Sequence, residues 1–299
     1  MERIIHLYGA VSQPEIINFL RTQCEFNDPS ELAEIVHSWS KAAAEFSKLP
    51  ADQSDLPEAV SVEEIPHEFA SLVDKVAQSA LFRNSFSLLP YSFKVIDLDH
   101  LVAPQRYVNL SYIEKLAESF PVEMGMDYLI DYCLRGGSPP SAPSELQLGP
   151  NVYSYKSGST DFRFLGGYPK RLTDDDLEYA LGGGQPVAAL LLFVGYGSPA
   201  VNVFQVGKRL ILNNGFHRLF ALRRSGVLKA PVVVQQITNW SLELPAQITG
   251  IPTTYLVTTP RPSLLKDFFS PSISRELPMK SRDRSVQIQW NVNQVDLPR

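Results

Sequence analysis

Residues 201–234 constrain the fold more than any other part of the chain. Two short apolar, β-prone runs flank Gly207, which opens a two-residue hairpin signal with glycine first. The second run ends at Gly215, and apolar residues then recur at helical spacing until Gly226, a residue type that commonly ends helices. A fully apolar run at residues 232–234 follows. The pattern predicts, in order, strand, turn, strand, glycine turn, helix and strand.

The glycine turn, residues 214–218, is the candidate site because a helix begins there. The first amide groups of a helix lack partners within it, and the helix dipole adds partial positive charge. Gly215 has no Cβ, so a backbone or a phosphate can approach closely. His217 and Arg218 add cations that oppose the dipole, which suggests a compensating anion held by the forked Arg218 side chain. The alternative is a plain strand–helix connection in which Arg218 pairs with a carboxylate.

Three segments resemble the ParB/sulfiredoxin superfamily. Residues 214–221 (Asn-Gly-Phe-His-Arg-Leu-Phe-Ala) resemble its Gly-x-x-Arg-x-x-Ala segment, which closes with a small residue, a glycine and a Val-Pro-Val-type strand. Residues 95–106 and the helix-like run at 112–119 resemble its opening strand, Pro/Gln/Arg turn and helix. Residues 184–187 (Gly-Gln-Pro-Val) resemble the strand that normally follows that helix. The three segments occur in the order found in the superfamily.

The resemblance implies an α+β protein with a ParB/sulfiredoxin-like mixed-sheet core that binds a nucleotide at the glycine turn. The arginine of the upstream turn would then be a second phosphate contact, although an ordinary surface arginine is the alternative. The ligand would be ATP or CTP, accompanied by Mg²⁺. We predict one concave nucleotide- and phosphate-binding site lined by Gln105, Arg106, Asn214, Gly215, Phe216, His217 and Arg218.

The chain also departs from the superfamily. Phe216 occupies the position of the catalytic cysteine of sulfiredoxins, so thiol-dependent reductase chemistry is not expected. The acidic residue of the ParB Gly-Glu-Arg-Arg turn is absent, and no helix-turn-helix pattern follows residue 234. The function hypothesis is therefore nucleotide binding, extended to NTP hydrolysis or phosphoryl transfer, with no catalytic residue assigned. The alternatives are a non-catalytic protein-interaction scaffold and a ParB-like nucleic-acid-binding protein or nuclease.

Composition reduces the number of candidate functions and locations. The formal net charge of −5 over 299 residues gives no electrostatic footprint for nucleic acid. No apolar run approaches 18 residues, and the first residues lack a signal-peptide layout, so no membrane span is expected. Cys24 and Cys133 lie far apart in sequence, as expected of buried thiols in a reducing cytoplasm. The five histidines show no metal-ligand spacing, so no metal site of the protein's own is predicted.

The pattern along the chain predicts three parts. Residues 1–90 form a helical N-terminal unit, residues 91–240 form the core, and residues 241–299 form an irregular C-terminal extension packed on it. A long insertion at 121–183 interrupts the core, and we expect it or the N-terminal helices to bind a protein partner. Inside the insertion, the glycines at 166–171 predict a loop, and Thr173 is expected to cap a helix at 174–181. The aspartates at 174–176 favour such a solvated helix end over a magnesium site.

Overall fold

A computed structural model describes residues 2–26, 28–136, 142–159, 161–179 and 184–296. The strands are β1 (Glu2–His6), β2 (Val62–Glu64), β3 (Tyr91–Asp97), β4 (Tyr107–Asn109), β5 (Ser144–Gly149), β6 (Val152–Ser157), β7 (Phe162–Arg171), β8 (Ala188–Tyr196), β9 (Asn202–Val206), β10 (Arg209–Asn214), β11 (Lys229–Ile237), β12 (Gln247–Ile248), β13 (Ile251–Pro252), β14 (Arg275–Met279) and β15 (Arg284–Gln289). The α-helices are α1 (Gln13–Gln23), α2 (Pro29–Gln53), α3 (Ala70–Gln78), α4 (Ala80–Ser85), α5 (Leu110–Ala117), α6 (Met126–Ile130), α7 (Phe216–Arg224), α8 (Trp240–Glu243) and α9 (Thr253–Thr258). The predicted α+β class is confirmed.

The chain divides into two compact units. The first joins Met1–Gly137 to Ser198–Ser281, and the second joins Ser138–Gly197 to Arg282–Arg299. This grouping differs from the predicted parts, because β15 of the predicted C-terminal extension pairs with β6 of the predicted insertion. Sequence distance hides such a pairing, since the two strands are more than 120 residues apart.

The main sheet of the first unit has the strand order β10-β9-β11-β3-β2. Its central strand β11 runs parallel to β9 and antiparallel to β3. β9 and β10 form the predicted hairpin, with Gly207 at φ +59° in its turn. α7 follows β10 and ends before Gly226, whose φ of +91° is the left-handed conformation that glycine adopts readily. The predicted order of elements from hairpin to final strand is therefore confirmed.

The segment at 184–187 does not open a strand of this sheet. The strand that follows it, β8, pairs with β7 in the second unit, and the strand parallel to β11 is β9. Burial explains the difference: Asn202, Val203 and Phe204 of β9 are all buried, as a strand covered on both faces requires. Large side chains of β8 remain exposed.

A second sheet of the first unit has the order β14-β1-β4. Residues 2–6 were expected within a helical unit, but they form β1, which pairs on both sides. The helix that follows begins with a capping box, in which the backbone N–H of Ser12 donates to Glu15 Oε2 at 2.8 Å. Both neighbours of β1 lie at least 100 residues away in sequence, so local propensity gave no signal for it.

The second unit contains a three-stranded sheet, β15-β6-β5, and a two-stranded antiparallel ribbon, β7–β8. The predicted loop at 166–171 is wrong, since these residues lie within β7. Gly166, at φ +112°, takes up a register shift in the ribbon, and the missing Cβ of Gly167 leaves room for the side chain of Leu192. Thr173 and Asp176 hydrogen-bond at the start of a 3-10 helix, Asp174–Tyr179. Residues 180 and 181 of the predicted helix lie outside the described residues.

Candidate functional site

The glycine turn joins β10 to α7, as predicted, and Gly215 adopts a left-handed φ of +98°. A Cβ built on Gly215 would lie 2.6 Å from Cγ2 of Val201, a fully buried side chain. The space beside this glycine is therefore filled by Val201. Gly215 serves the close packing of β9 against the turn, which is a different use from the ligand approach expected from the sequence.

The Gly215→Ala substitution should therefore be more destabilising than its backbone conformation alone explains. A left-handed alanine costs about 1–2 kcal/mol, and forcing an extra methyl into a packed core costs about 1–3 kcal/mol more. Gly226→Ala is the matched control, because φ is +91° there and nothing lies within 4 Å of the added Cβ. Urea denaturation of both variants measures the difference. Equal losses of stability would show that Val201 moves away without cost.

Asn214 and Arg218 fasten the turn to neighbouring backbone. Asn214 Nδ2 donates to the carbonyl oxygens of Ser198 at 2.6 Å and Ala200 at 3.3 Å. Arg218 Nη1 donates to the carbonyl oxygens of Tyr132 at 3.1 Å and Cys133 at 3.4 Å. The guanidinium thus bonds to main-chain carbonyls, whereas the sequence suggested a phosphate or a carboxylate. These bonds fix the residues that precede β9 and that follow α6.

His217 is held as a neutral side chain. Its Nε2 accepts a hydrogen bond from the backbone N–H of Asn109 at 3.2 Å, and its ring lies edge-on to Tyr112 with centroids 5.3 Å apart. Burial lowers the pKa of His217 to about 4. At neutral pH the imidazole therefore adds no positive charge to the turn, although such a charge was part of the sequence argument for an anion.

The two segments that the sequence predicts to meet do come together, at Asn109 and His217. Arg106 lies three residues before Asn109, so its backbone is within about 10 Å of that contact. Its side chain bonds elsewhere, with Nη1 donating to the carbonyl oxygen of Ala10 and Nη2 pairing with Glu15, each at 3.4 Å. The predicted site opposite Arg218 stays a prediction, and Arg106 is engaged with the start of α1.

The remaining predicted site residues, Gln105 and Phe216, face the interior. Phe216 belongs to the main hydrophobic cluster of the first unit. The backbone N–H of Gln105 donates to the carbonyl oxygen of Ala103 at 2.8 Å, while its Oε1 is buried and has no partner among the described residues. The Oε1 atom only accepts, so a contact of Gln105 with a phosphate would have to use the Nε2 donor of the same amide.

Both cysteines are buried thiols, as predicted. Burial raises the pKa of Cys24 to about 11 and that of Cys133 to about 12, so neither is a thiolate at neutral pH. In the described part of the chain, no group of three or more histidine, cysteine, aspartate or glutamate side chains could hold a metal ion. The described helices include none that is both long and apolar enough to cross a bilayer.

The sequence analysis missed a second candidate surface, the β7–β8 ribbon. Six large apolar side chains of its two strands are between 37% and 63% exposed: Phe164, Leu165, Tyr168, Leu190, Leu192 and Phe193. Residues 188–194 read as an apolar strand, which suggests a place in a buried sheet. Two sequence features could have indicated an exposed hairpin: the uncharged run at 188–194 and the pair of glycines, Gly166 and Gly167, that precedes it in the chain.

Comparison of the chain with protein-family models, with curated proteins and with solved structures finds no match. The superfamily resemblance therefore rests on the three sequence segments alone. The function has to be argued from the contacts of the glycine turn and from the surface of the ribbon.

Proposed function

We propose that this protein is a non-catalytic interaction protein whose ParB/sulfiredoxin-like core is a structural scaffold. The core would comprise β3, α5, the β9–β10 hairpin, α7 and β11, a succession that is consistent with the superfamily resemblance. The observation that supports the scaffold role most is the set of contacts at the glycine turn. Asn214, His217 and Arg218 all bond to the chain itself, and Val201 fills the space beside Gly215.

The energetics of the turn favour this role over phosphate binding. Turning Arg218 towards a phosphate would withdraw its donor from the carbonyl oxygens of Tyr132 and Cys133. The carbonyl oxygen of Cys133 would keep the backbone N–H of Val201, at 2.7 Å, so the loss falls on that of Tyr132. Leaving a carbonyl unsatisfied costs about 1–3 kcal/mol, while a hydrogen bond to a charged group gains about 1.5–3 kcal/mol. The two terms nearly cancel. The neutral His217 contributes no positive charge that would favour phosphate binding.

Nucleotide binding is the second candidate, and one observation favours it. The backbone amides of Phe216 and His217, at the start of α7, donate no hydrogen bond among the described residues. Such amides attract anions at the N-terminus of a helix. ATP or CTP with Mg²⁺ would then bind through the backbone. The side chains named from the sequence do not fit this group as arranged, so we derive no hydrolysis or phosphoryl transfer from them.

Melting curves with and without millimolar ATP or CTP and Mg²⁺ distinguish the two candidates. For the scaffold, we expect no nucleotide-induced shift in the wild type. Arg218→Ala alone should lower stability by about 1–3 kcal/mol, because two carbonyl oxygens lose a donor. A ligand at 100 times its Kd would instead add about 2.7 kcal/mol.

Arg224→Ala is the matched control for this experiment. Arg224 lies on the same helix, and its contact with Glu114 is an exposed pair at 3.7 Å. Its loss should change stability by less than about 1 kcal/mol. A nucleotide-induced shift of the wild type that persists in Arg224→Ala would reject the scaffold role. Loss of the shift in Arg218→Ala would assign the phosphate contact to that side chain, and its persistence there would assign the contact to the backbone amides.

A further inference from the structure

The β7–β8 ribbon has two outer edges. β7 and β8 pair with each other over their full lengths, from Phe162 opposite Tyr196 to Arg171 opposite Ala188. Within the described residues, no further strand pairs with either of them. From Ala188 to Gly195, the outer edge of β8 therefore presents the N–H and C=O groups of a long strand to which no other described strand is paired, and other chains readily pair with such an edge.

The outer edge of β7 is protected against such pairing. Pro169 has no N–H to donate, and the register shift at Phe164 and Gly166 bends the strand. Charged side chains also lie along this strand: Arg171, and Arg163 and Lys170, which pair with Asp161 and Asp176. Natural proteins protect exposed edges with these same three devices, proline, a bulge and charge.

The outer edge of β8 has none of this protection. Its sequence, Ala-Ala-Leu-Leu-Leu-Phe-Val-Gly-Tyr, contains no charge and no proline, and its pairing register changes only on the β7 side. Leu190, Leu192 and Phe193 are exposed. An open, uncharged, apolar edge of nine residues would cause uncontrolled aggregation if it had no designated partner. The contrast between the two strands indicates that β8 is the edge that pairs with another strand.

We propose that two copies of this chain associate by antiparallel pairing of their β8 strands. This inference rests on the interaction role proposed above and names the partner as a second copy. A two-fold axis at Leu192, the middle residue of the strand, pairs all nine residues. Leu192 then lies opposite its own copy, Leu191 opposite Phe193, and Leu190 opposite Val194. Every one of these central pairs is apolar, so the strand is complementary to itself.

The expected strength follows from the size of the contact. Two nine-residue antiparallel strands form about one hydrogen bond for each pair of opposite residues. The total of about nine approaches the roughly ten hydrogen bonds of a typical interface. Edge pairing covers mainly the three exposed side chains of β8, which at about 100 Å² each offer about 300 Å² per copy, against about 800 Å² in a standard interface. We therefore expect a reversible dimer that forms in the micromolar range.

The charges near the far end of the ribbon argue against a membrane as the occupant. The 3-10 helix that follows β7 begins with Asp174, Asp175 and Asp176. Asp176 pairs with Lys170, but Asp174 and Asp175 are exposed, so anionic lipid surfaces repel them and burying them in hydrocarbon is costly. A second copy meets no such obstacle, because edge pairing leaves these carboxylates in water.

Sedimentation equilibrium of the full-length protein from about 1 to 100 μM tests the proposal. The wild type should show a monomer–dimer equilibrium. Leu192→Lys places two ammonium groups opposite each other and should weaken dimerisation at least tenfold. Leu165→Lys is the matched control, since this leucine is exposed on the protected strand β7 and its change should leave the equilibrium unaltered. An equimolar mixture of Leu192→Lys and Leu192→Glu should restore dimers, because opposite charges then meet at the axis.

Leu190→Lys is a second variant for the case in which Leu192, which packs across Gly167, is needed for the fold of the ribbon. It places an ammonium group opposite the apolar Val194 of the other copy and should therefore also weaken the dimer. A wild-type protein that remains monomeric at 100 μM overturns the proposal, as does an equal effect of Leu165→Lys. Binding to phosphatidylcholine vesicles without dimerisation, or growth beyond dimers, also overturns it.

Failure of this proposal is distinguishable from failure of the proposed function. If the protein is monomeric and nucleotide does not change its melting temperature, the dimer is rejected and the scaffold role is retained. A dimer whose melting temperature rises with ATP or CTP rejects the scaffold role and leaves the pairing of β8 standing.

Discussion

Asp267→Ala is expected to lower the free energy of unfolding by about 3–5 kcal/mol, the range for breaking a buried ion pair by removing one partner. Arg261 and Asp267 are 1% and 3% exposed and form a forked pair, with contacts of 2.6 and 2.8 Å. Asp267 also accepts the backbone N–H of Leu264 at 2.8 Å. Removing the carboxylate leaves a buried guanidinium whose remaining partners are the carbonyl oxygen of Pro262 and the amide of Gln53.

Urea denaturation measures this loss of stability, and two further variants serve as controls. Asp131→Ala removes the carboxylate of an exposed pair with Arg135, in which both side chains are 61% exposed, and should cost less than about 1 kcal/mol. The double variant Arg261→Met/Asp267→Leu removes both buried charges and should recover most of the stability lost in the single variant. If Asp267→Ala is no worse than Asp131→Ala, water reaches the Arg261 side chain and the pair is not buried in solution.

The sequence predicted the part of the fold that local signals determine. Gly207 and Gly226 occupy the positive-φ positions that a hairpin turn and a helix end require. The apolar run that includes Val232 and Val234 became the centre of the main sheet, because a strand with neighbours on both sides and covered faces needs continuous apolar residues. These features depend on neighbouring residues only, so spacing along the chain is sufficient to find them.

The sequence could not predict which distant strands pair. β1 depends on β14, more than 260 residues later, and β15 depends on β6. A strand-like pattern at 188–194 is compatible with a core sheet and with a ribbon, since periodicity does not state what lies beside a strand. The segment at 184–187 was assigned to the core by its resemblance to a superfamily strand, and a resemblance of four residues likewise does not state which strand lies beside it.

The binding site itself stays a prediction, and the contacts of its residues differ from those expected. The upstream segment and the glycine turn meet at Asn109 and His217, as the order of segments suggested. The partners of Arg218 are carbonyl oxygens at 132 and 133, and carbonyl groups have no signature in a sequence. The neutrality of His217 likewise depends on burial by distant residues, which residue type and spacing do not encode.

Mild acid is expected to destabilise the protein through its buried histidines, and His6 should have the largest effect. His6 is 2% exposed, and its ring packs against those of Phe19 and Tyr107, with centroids 4.5 and 6.2 Å away. Burial, helped by the nearby positive charge of Arg106, lowers its pKa to about 3. His217 adds an effect of the same sign but keeps part of its surface in solvent.

The direction follows from proton counting. Below its ordinary pKa of 6.5, His6 binds a proton in the unfolded chain, whereas the folded chain stays neutral down to about pH 3. The stability that this histidine contributes is complete above pH 6.5 and is lost as the pH falls towards 3. Between pH 7 and pH 5, the linkage relation gives a loss of about 2 kcal/mol for one such histidine.

His6→Phe removes the titrating group while keeping an aromatic ring beside Phe19. Urea denaturation at pH 7, 6 and 5 should show that this variant loses about 2 kcal/mol less stability over the range than the wild type. His37→Gln, at an exposed position on α2, should follow the wild-type curve because water solvates that side chain in both states. Parallel curves for His6→Phe and the wild type would mean that His6 takes up its proton without unfolding. In that case β1 separates locally from its neighbours in mild acid, and amide exchange of β1 that speeds up below pH 6 would reveal it.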